Sequence, residues 1–407
     1  MGGTRNYSSS APLRPLPAEI WPRVQDPTPE TGDRKYQMKV LMKKRTLLTA
    51  AVTAGVAAVV ATTVVVASTS GNSDALAATH NNMVAGTIWV ANEDSASLTA
   101  IDAATNTVAT TLTGIDSPHN VQATQDGRSI WAVSGTTAMA VEIDSKSNEV
   151  RGAVPTGSMP AHVIVTPDET RTYTTNNADD TVSAFDIATM TTIATIPVGA
   201  GPHGLRSSPD GTSIYVANNK GTTLSVIDTA TNTQIDEIEV GKLPAQVAFS
   251  PDGKFVYASL NGDNAVAKID TNTRKRVSTL PVGVGPIQTF VSPDGQYLLV
   301  ANQGTEEYPG TTVSVIDTDT FDFVRTVETG AGAHGVTIDP TSRHAYITNT
   351  FDDTVSVLDL KTLKVVASIP VGSMPNGITY STQAAGIAPT VELDLKMNGT
   401  DGGGMGH

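Results

Sequence analysis

The sequence predicts an all-β fold, a seven-bladed β-propeller of four-stranded antiparallel blades. Three observations carry that prediction. First, one phrase repeats along the 407 residues, as in Ile214–Gly253: Ile-Tyr-Val-Ala-Asn, a polar loop, Leu-Ser-Val-Ile-Asp, a Thr/Asn turn, a third apolar run, then Val-Ala-Phe-Ser-Pro-Asp-Gly. Second, the Asp that closes the second run recurs at Asp102, Asp144, Asp186, Asp228, Asp270, Asp317 and Asp359, with steps of 42 residues and a single step of 47. A period in the forties built from short strands is the mark of a four-stranded blade. Third, the apolar spacing is two, not three and four. Val313, Val315 and Asp317 alternate with Ser314 and Ile316, the pattern of a half-buried strand.

The turns order the strands. Ser-Pro-Asp-Gly at 208–211, 250–253 and 292–295 has Pro second and Gly fourth, as a type I turn requires. It joins one run to the Tyr-Val-Ala-Asn run that follows. Asp228–Asn232 and its counterparts form the other tight turn, where the Asx side chain bonds its own backbone.

In chain order, residues 1–41 are Pro-, Ser- and charge-rich without period, and read as a disordered extension, with the true start lying downstream. Residues 42–78 hold Lys43, Lys44 and Arg45, the uncharged run Leu47–Ala67, and Ala75-Leu76-Ala77. This is the layout of a signal peptide, or of a transmembrane anchor through residues 47–67 if uncleaved. Either outcome places the rest outside the cytoplasm, secreted or held on the outer face of the membrane. Residues 79–385 form the propeller, and 386–407 a flexible tail in which Val391–Leu395 could add a short strand.

The pentads Ile88–Asn92, Thr172–Asn176, Ile214–Asn218, Leu298–Asn302 and Ala345–Asn349, with Ile130–Ser134 as the main departure, resemble the motif of the YVTN-repeat β-propellers. That family consists of exported, surface-layer-like proteins, and the resemblance spans about Gly86 to Ser381. It implies that the run before each Ser-Pro-Asp-Gly is the innermost strand. Seven such runs begin near 120, 162, 204, 246, 288, 335 and 377, and seven second strands near 87, 129, 171, 213, 255, 297 and 344. Gly377–Ser381 should then complete the blade opened by Thr87–Asn92, removing free edges.

Composition narrows function. With no cysteine, disulfides and thiolate sites are excluded. Residues 1–78 hold nine basic and five acidic residues, leaving 17 and 35 for the rest, a formal charge of −18. Such a domain repels phosphate backbones, so nucleic acid is not expected as a partner. No G-x-S-x-G, H-E-x-x-H or Walker loop occurs. The G-x-G-x-x-G matches at 199–204 and 330–335 precede strands and so offer no helix N-terminus to a pyrophosphate.

Aligned by period, one column at the entrance to the innermost strands reads His119, Ala161, His203, Ala245, Ile287, His334, Asn376. The next reads Asn120, His162, Gly204, Gln246, Gln288, Gly335, Gly377. Four histidines thus ring one channel mouth, with Met159 and Met374 three residues before the second column. Imidazole with thioether suits copper. Calcium is the weaker expectation, from the loops at Glu93/Asp94, Asp179/Asp180, Asp263, Glu306/Glu307 and Asp352/Asp353, which otherwise form a solvated acidic rim. The structural alternative has the histidines pack on neighbouring blades.

The leading expectation is a non-catalytic, monomeric exported binding or scaffold module. Its partner would be a protein, glycan or small ligand at the channel mouth or at the unique loop Gly304–Gly310. The alternative is a copper-binding or copper-dependent oxidoreductase-type protein. A lactonase-like hydrolase ranks third, because the carboxylates lie out on the loops.

Overall fold

The computed structural model describes residues 84–395. The expected extension and signal or anchor, and the tail residues Met397, Met405 and His407, lie outside the described residues. Every regular element among these is a strand, and no helix among them is long and apolar enough to cross a membrane.

The strands form seven sheets, antiparallel except for one short strand added at the edge of one of them. Six of them run from the axis outward in chain order, as in Pro202–Ser207, Ser213–Asn218, Thr223–Asp228 and Thr233–Glu239. Numbered around the ring, blade 1 has Pro375–Ser381 innermost, paired antiparallel with Thr87–Asn92. Blades 2 to 7 begin with Val121–Ala123, Pro160–Val165, Pro202–Ser207, Pro244–Phe249, Pro286–Val291 and Ala333–Ile338. Pro375–Ser381 touches the innermost strands of both blade 7 and blade 2, so the first and last of the ring's strands meet in one sheet.

The core lies between blades, not inside them. Seven apolar clusters each draw on two adjacent blades. Alternation along one strand serves two interfaces: Ile88 and Val90 pack toward blade 7, Trp89 and Ala91 toward blade 2. This corrects the half-buried reading of the strands. Val313 to Ile316 are all buried, because each blade is sandwiched on both faces. Only the outermost strands alternate with solvent, as Thr233–Glu239 does.

The repeated polar residues are structural. Asn218 donates from Nδ2 to Thr223 and Ser225 at 2.9 and 3.0 Å, and Asn176, Asn302 and Asn349 do the same in their blades. That bond lets Ser225 and Ser314 be buried. Asp228 Oδ1 accepts from the Thr231 backbone at 2.8 Å, closing the outer turn, with equivalents at Asp102, Asp270 and Asp359.

The acidic loops are exposed, and five of their carboxylates are also clamps. Asp179 accepts from Ser158 N, Asp180 from Gly201 N, Asp263 from Lys242 N, Asp352 from Ala331 N and Asp353 from Met374 N, at 2.6 to 2.9 Å. Asp179, Asp263 and Asp352 tie their loops to the entrance of their own blade, and Asp180 and Asp353 to that of the next. The insertion near Glu306–Gly310 lengthens one hairpin, Tyr297–Gly304 with Pro309–Asp317, and leaves Tyr308 exposed. The expected tail is anchored at its start: Val391–Glu392 pairs parallel with Thr107–Thr113, and Leu393 is buried.

Candidate metal centre at the channel mouth

The entrance to each innermost strand decides what faces the axis. Pairing with the second strand slips between Pro160 and Val163, between Pro202 and Leu205, and between Ala333 and Val336. Such a bulge re-aims side chains that strict alternation would send to opposite faces. His162 and His203 sit in different columns, yet their ring centroids are 4.7 Å apart. His119 lies 5.2 Å from His203, 5.6 Å from His162 and 5.8 Å from His334 by the same measure. The structure thus brings all four histidines together, and His119, His162 and His203 each offer a nitrogen within 4.8 Å of the other two.

The partners of the outer nitrogens assign the tautomers. His203 Nδ1 lies 2.9 Å from the Ala245 carbonyl, which can only accept, so Nδ1 carries the proton. His119 Nδ1 lies 3.0 Å from Glu93 Oε2. Burial pushes the Glu93 carboxyl up, but the bond to His119 and its charge, with bonds from Ser117 and Asn376, outweigh burial and hold it below its usual range. Glu93 is therefore a carboxylate and His119 Nδ1 the donor. The two Nε2 atoms face each other at 3.2 Å. In neutral rings each bears a bare lone pair, so this approach is stabilised only by a proton or a cation between them.

Burial keeps the other rings neutral. It lowers His203 to about 4, with the charge of His119 adding and the Ala245 bond opposing. His162 and His334 are also lowered well below the ordinary value, by burial first and then by neighbouring histidines. Neutral imidazole is the form that ligates metals. His162 Nδ1 lies 3.4 Å from Gln246 Nε2, and its Nε2 has no partner; neither has His334 Nδ1. Gln246 reaches His162 because Gly204 leaves room: a Cβ there would collide with the Gln246 side chain.

The methionines do not join the nitrogens equally. Their column is a turn position with left-handed backbone in all seven blades: Ser117, Met159, Gly201, Leu243, Gly285, Gly332 and Met374 have φ between 50° and 74°. Met159 is 63% exposed and borders a recess of about 440 Å³ that opens beside His119 and His203; Met374 does not line it.

Glu93 is the residue sequence reasoning missed, set down there as part of the acidic rim. The signal was a break in a column. Asn177, Asn219 and Asn261 occupy its place in other blades and donate to the carbonyls of Pro202, Pro244 and Pro286, while Thr350 donates to Pro375. A carboxylate cannot donate, and Glu93 turns to the axis instead.

Comparison with known proteins speaks to the blades. The YNCE-like β-propeller model matches residues 168–266, and the lactonase, 7-bladed β-propeller model matches residues 229–320. Of the four histidines only His203 falls within either match. No curated protein matches the chain. Among solved structures, hydrazine synthase of Kuenenia stuttgartiensis is 23% identical, covering 64% of this chain and 89% of that one, with TM-score 0.60. A functionally unknown protein of Desulfotomaculum acetoxidans is 19% identical, covering 73% and 99%, with TM-score 0.66. A putative 6-phosphogluconolactonase of Bacteroides uniformis is 18% identical, covering 72% and 99%, with TM-score 0.62. At these identities the likeness establishes the fold alone. Blades, closed sheets and family models agree that this chain is a seven-bladed β-propeller.

Proposed function

We propose that the protein is an exported binding propeller that holds a zinc- or copper-class ion on His119, His162 and His203. The observation that carries this reading is the opposed Nε2 pair. Two nitrogens at about 2.0–2.1 Å from one tetrahedral ion lie roughly 3.3 Å apart, and His119 and His203 are spaced at 3.2 Å. Both rings have their outer nitrogen engaged, by a carboxylate and by a backbone carbonyl, the two partners that orient metal-bound histidines. Three nitrogen donors leave a fourth position, which would face the recess and admit an outside ligand. The nitrogen set suits Zn(II) and Cu(II); the sulfur contribution that would favour Cu(I) rests on Met159 alone. The export reading rests on the basic, apolar and Ala-x-Ala pattern of residues 42–78 and on the YVTN-like pentads.

The test is retention of metal. Purified protein exposed to Cu(II), Zn(II), Mn(II) and Ca(II), then desalted, is expected to keep about one copper or zinc per chain and neither hard ion. The His119→Ala/His203→Ala variant should keep none. Equal retention by the variant, or none by either protein, contradicts the proposal.

One observation favours a second reading. Glu93 and His119 form a carboxylate–imidazole pair beside the recess, which could serve a hydrolase as a base. Glu93 is the single carboxylate lining that recess, short of the pair of acids a lactonase-like site would want. Opening of small lactones by the protein, abolished in Glu93→Gln and indifferent to chelator, would favour this reading over the metal one.

A further inference from the structure

We infer that the opposite mouth of the channel binds a small organic monocarboxylate with an apolar body, through Arg206. Two residues beyond the second histidine column, the period gives a further ring: Gln122, Ile164, Arg206, Ala248, Phe290, Thr337 and Thr379. Ile164 and Ala248 pack in the cores between blades; the other five line one cavity at this end. Arg206 is its sole charge.

The ring borders a cavity of about 430 Å³ at the Ser-Pro-Asp-Gly end, lined by Arg206, Gln122, Phe290, Ile338, Pro340 and Tyr380 among others. No carboxylate lines it, and no second cation. The guanidinium makes one hydrogen bond, from Nη1 to the Leu205 carbonyl at 2.9 Å. Its remaining N–H donors have no protein acceptor among the described residues. Burial lowers it to about 10, with no charged partner contributing, so it stays cationic at neutral pH. Arg206 is half-buried and lines the cavity with no protein counter-charge, which leaves its fork open to an anion.

The lining defines that counter-ion. A planar guanidinium fork matches the two oxygens of a carboxylate. A single positive charge balances a monoanion and falls short of a phosphate dianion. Phe290, Ile338 and Pro340 supply apolar wall for the body of the ligand. Tyr380 is not free to add a donor, since its hydroxyl donates to the Ala85 carbonyl. The chain's charge of −14 works against loose anion binding, so affinity must come from the fork and the wall together.

Calorimetric titration of the purified protein with benzoate, benzamide, acetate and inorganic phosphate tests this. Benzoate should bind at one site, with benzamide and phosphate each weaker by about tenfold or more. Phe290→Ala should weaken benzoate more than acetate. Arg206→Gln should lose benzoate by about tenfold or more while keeping the parent's cooperative melt. The inference is overturned if benzoate gives no binding, if benzamide or phosphate binds as well as benzoate, or if Arg206→Gln binds benzoate unchanged. Should Arg206→Gln fail to fold, the ligand series on the unaltered protein decides.

Discussion

Glu93 shows how one substitution in a repeat makes a site. Where other blades place an amide that ties a loop to the next proline, blade 1 has a carboxylate that pairs with His119. Glu93→Gln keeps shape and volume but loses the charge that orients His119. It should weaken metal binding about 10- to 100-fold without lowering the melting temperature by more than a few degrees, as metal titration and calorimetry would record. The buried histidines also set a pH dependence. Unfolded, His162, His203 and His334 take up protons near 6.5; folded, His203 does so only near 4, and burial holds the other two well below their ordinary value. The unfolded chain therefore binds more protons across that window, and stability falls as pH drops from 6.5 toward 4. Urea denaturation followed by emission of the buried Trp89 and Trp131 should show this slope, shallower in His203→Gln. At this scale the four histidines were legible as neighbours from their columns alone. The tautomers and the turn of Glu93 were not, because both depend on partners from other blades.

Strands and turns were the most legible level, since each repeats seven times and its chemistry is local. The Ser-Pro-Asp-Gly turns, the Asx turns at Asp228 and its equivalents, and the four-strand unit follow directly from spacing. The burial of the second and third strands on both faces did not, because sandwiching between blades is invisible in a single repeat. The same holds for the acidic loops, whose carboxylates accept from strand-entrance amides of their own blade or of the next. The Asn of the pentad gives an element-scale prediction. Asn218→Ala removes the donor shared by Thr223 and Ser225, leaving Ser225 only the Gly199 N–H, and should cost roughly 1–3 kcal/mol. Denaturation would measure it, and metal retention should be unchanged, since Asn218 touches none of the histidines.

Taken whole, residues 84–395 form a ring whose stability rests on seven interfaces, two of which involve a blade made from the first and last of the ring's strands. Ending the chain before Pro375 removes the innermost strand of that blade. It would expose the edge of Thr87–Asn92 and open the interfaces with blades 7 and 2. Such a truncation should not yield a monomer with a cooperative melt; size-exclusion chromatography and calorimetry would check this, and a monomer melting like the parent would contradict it. The ring also explains why fold was plainer than function in the sequence. Blade packing is written in every repeat, whereas the mouth depends on single departures that only meet at the axis.

The central claim is that a metal ion joins those departures. The most direct measurement is anomalous diffraction at the copper edge from crystals grown with Cu(II). The account predicts one peak about 2.0–2.1 Å from Nε2 of both His119 and His203, with a nitrogen of His162 completing the set. Copper-soaked crystals with no peak there, and the two imidazoles still in contact, would mean that a shared proton holds the pair and that the mouth is not a metal centre.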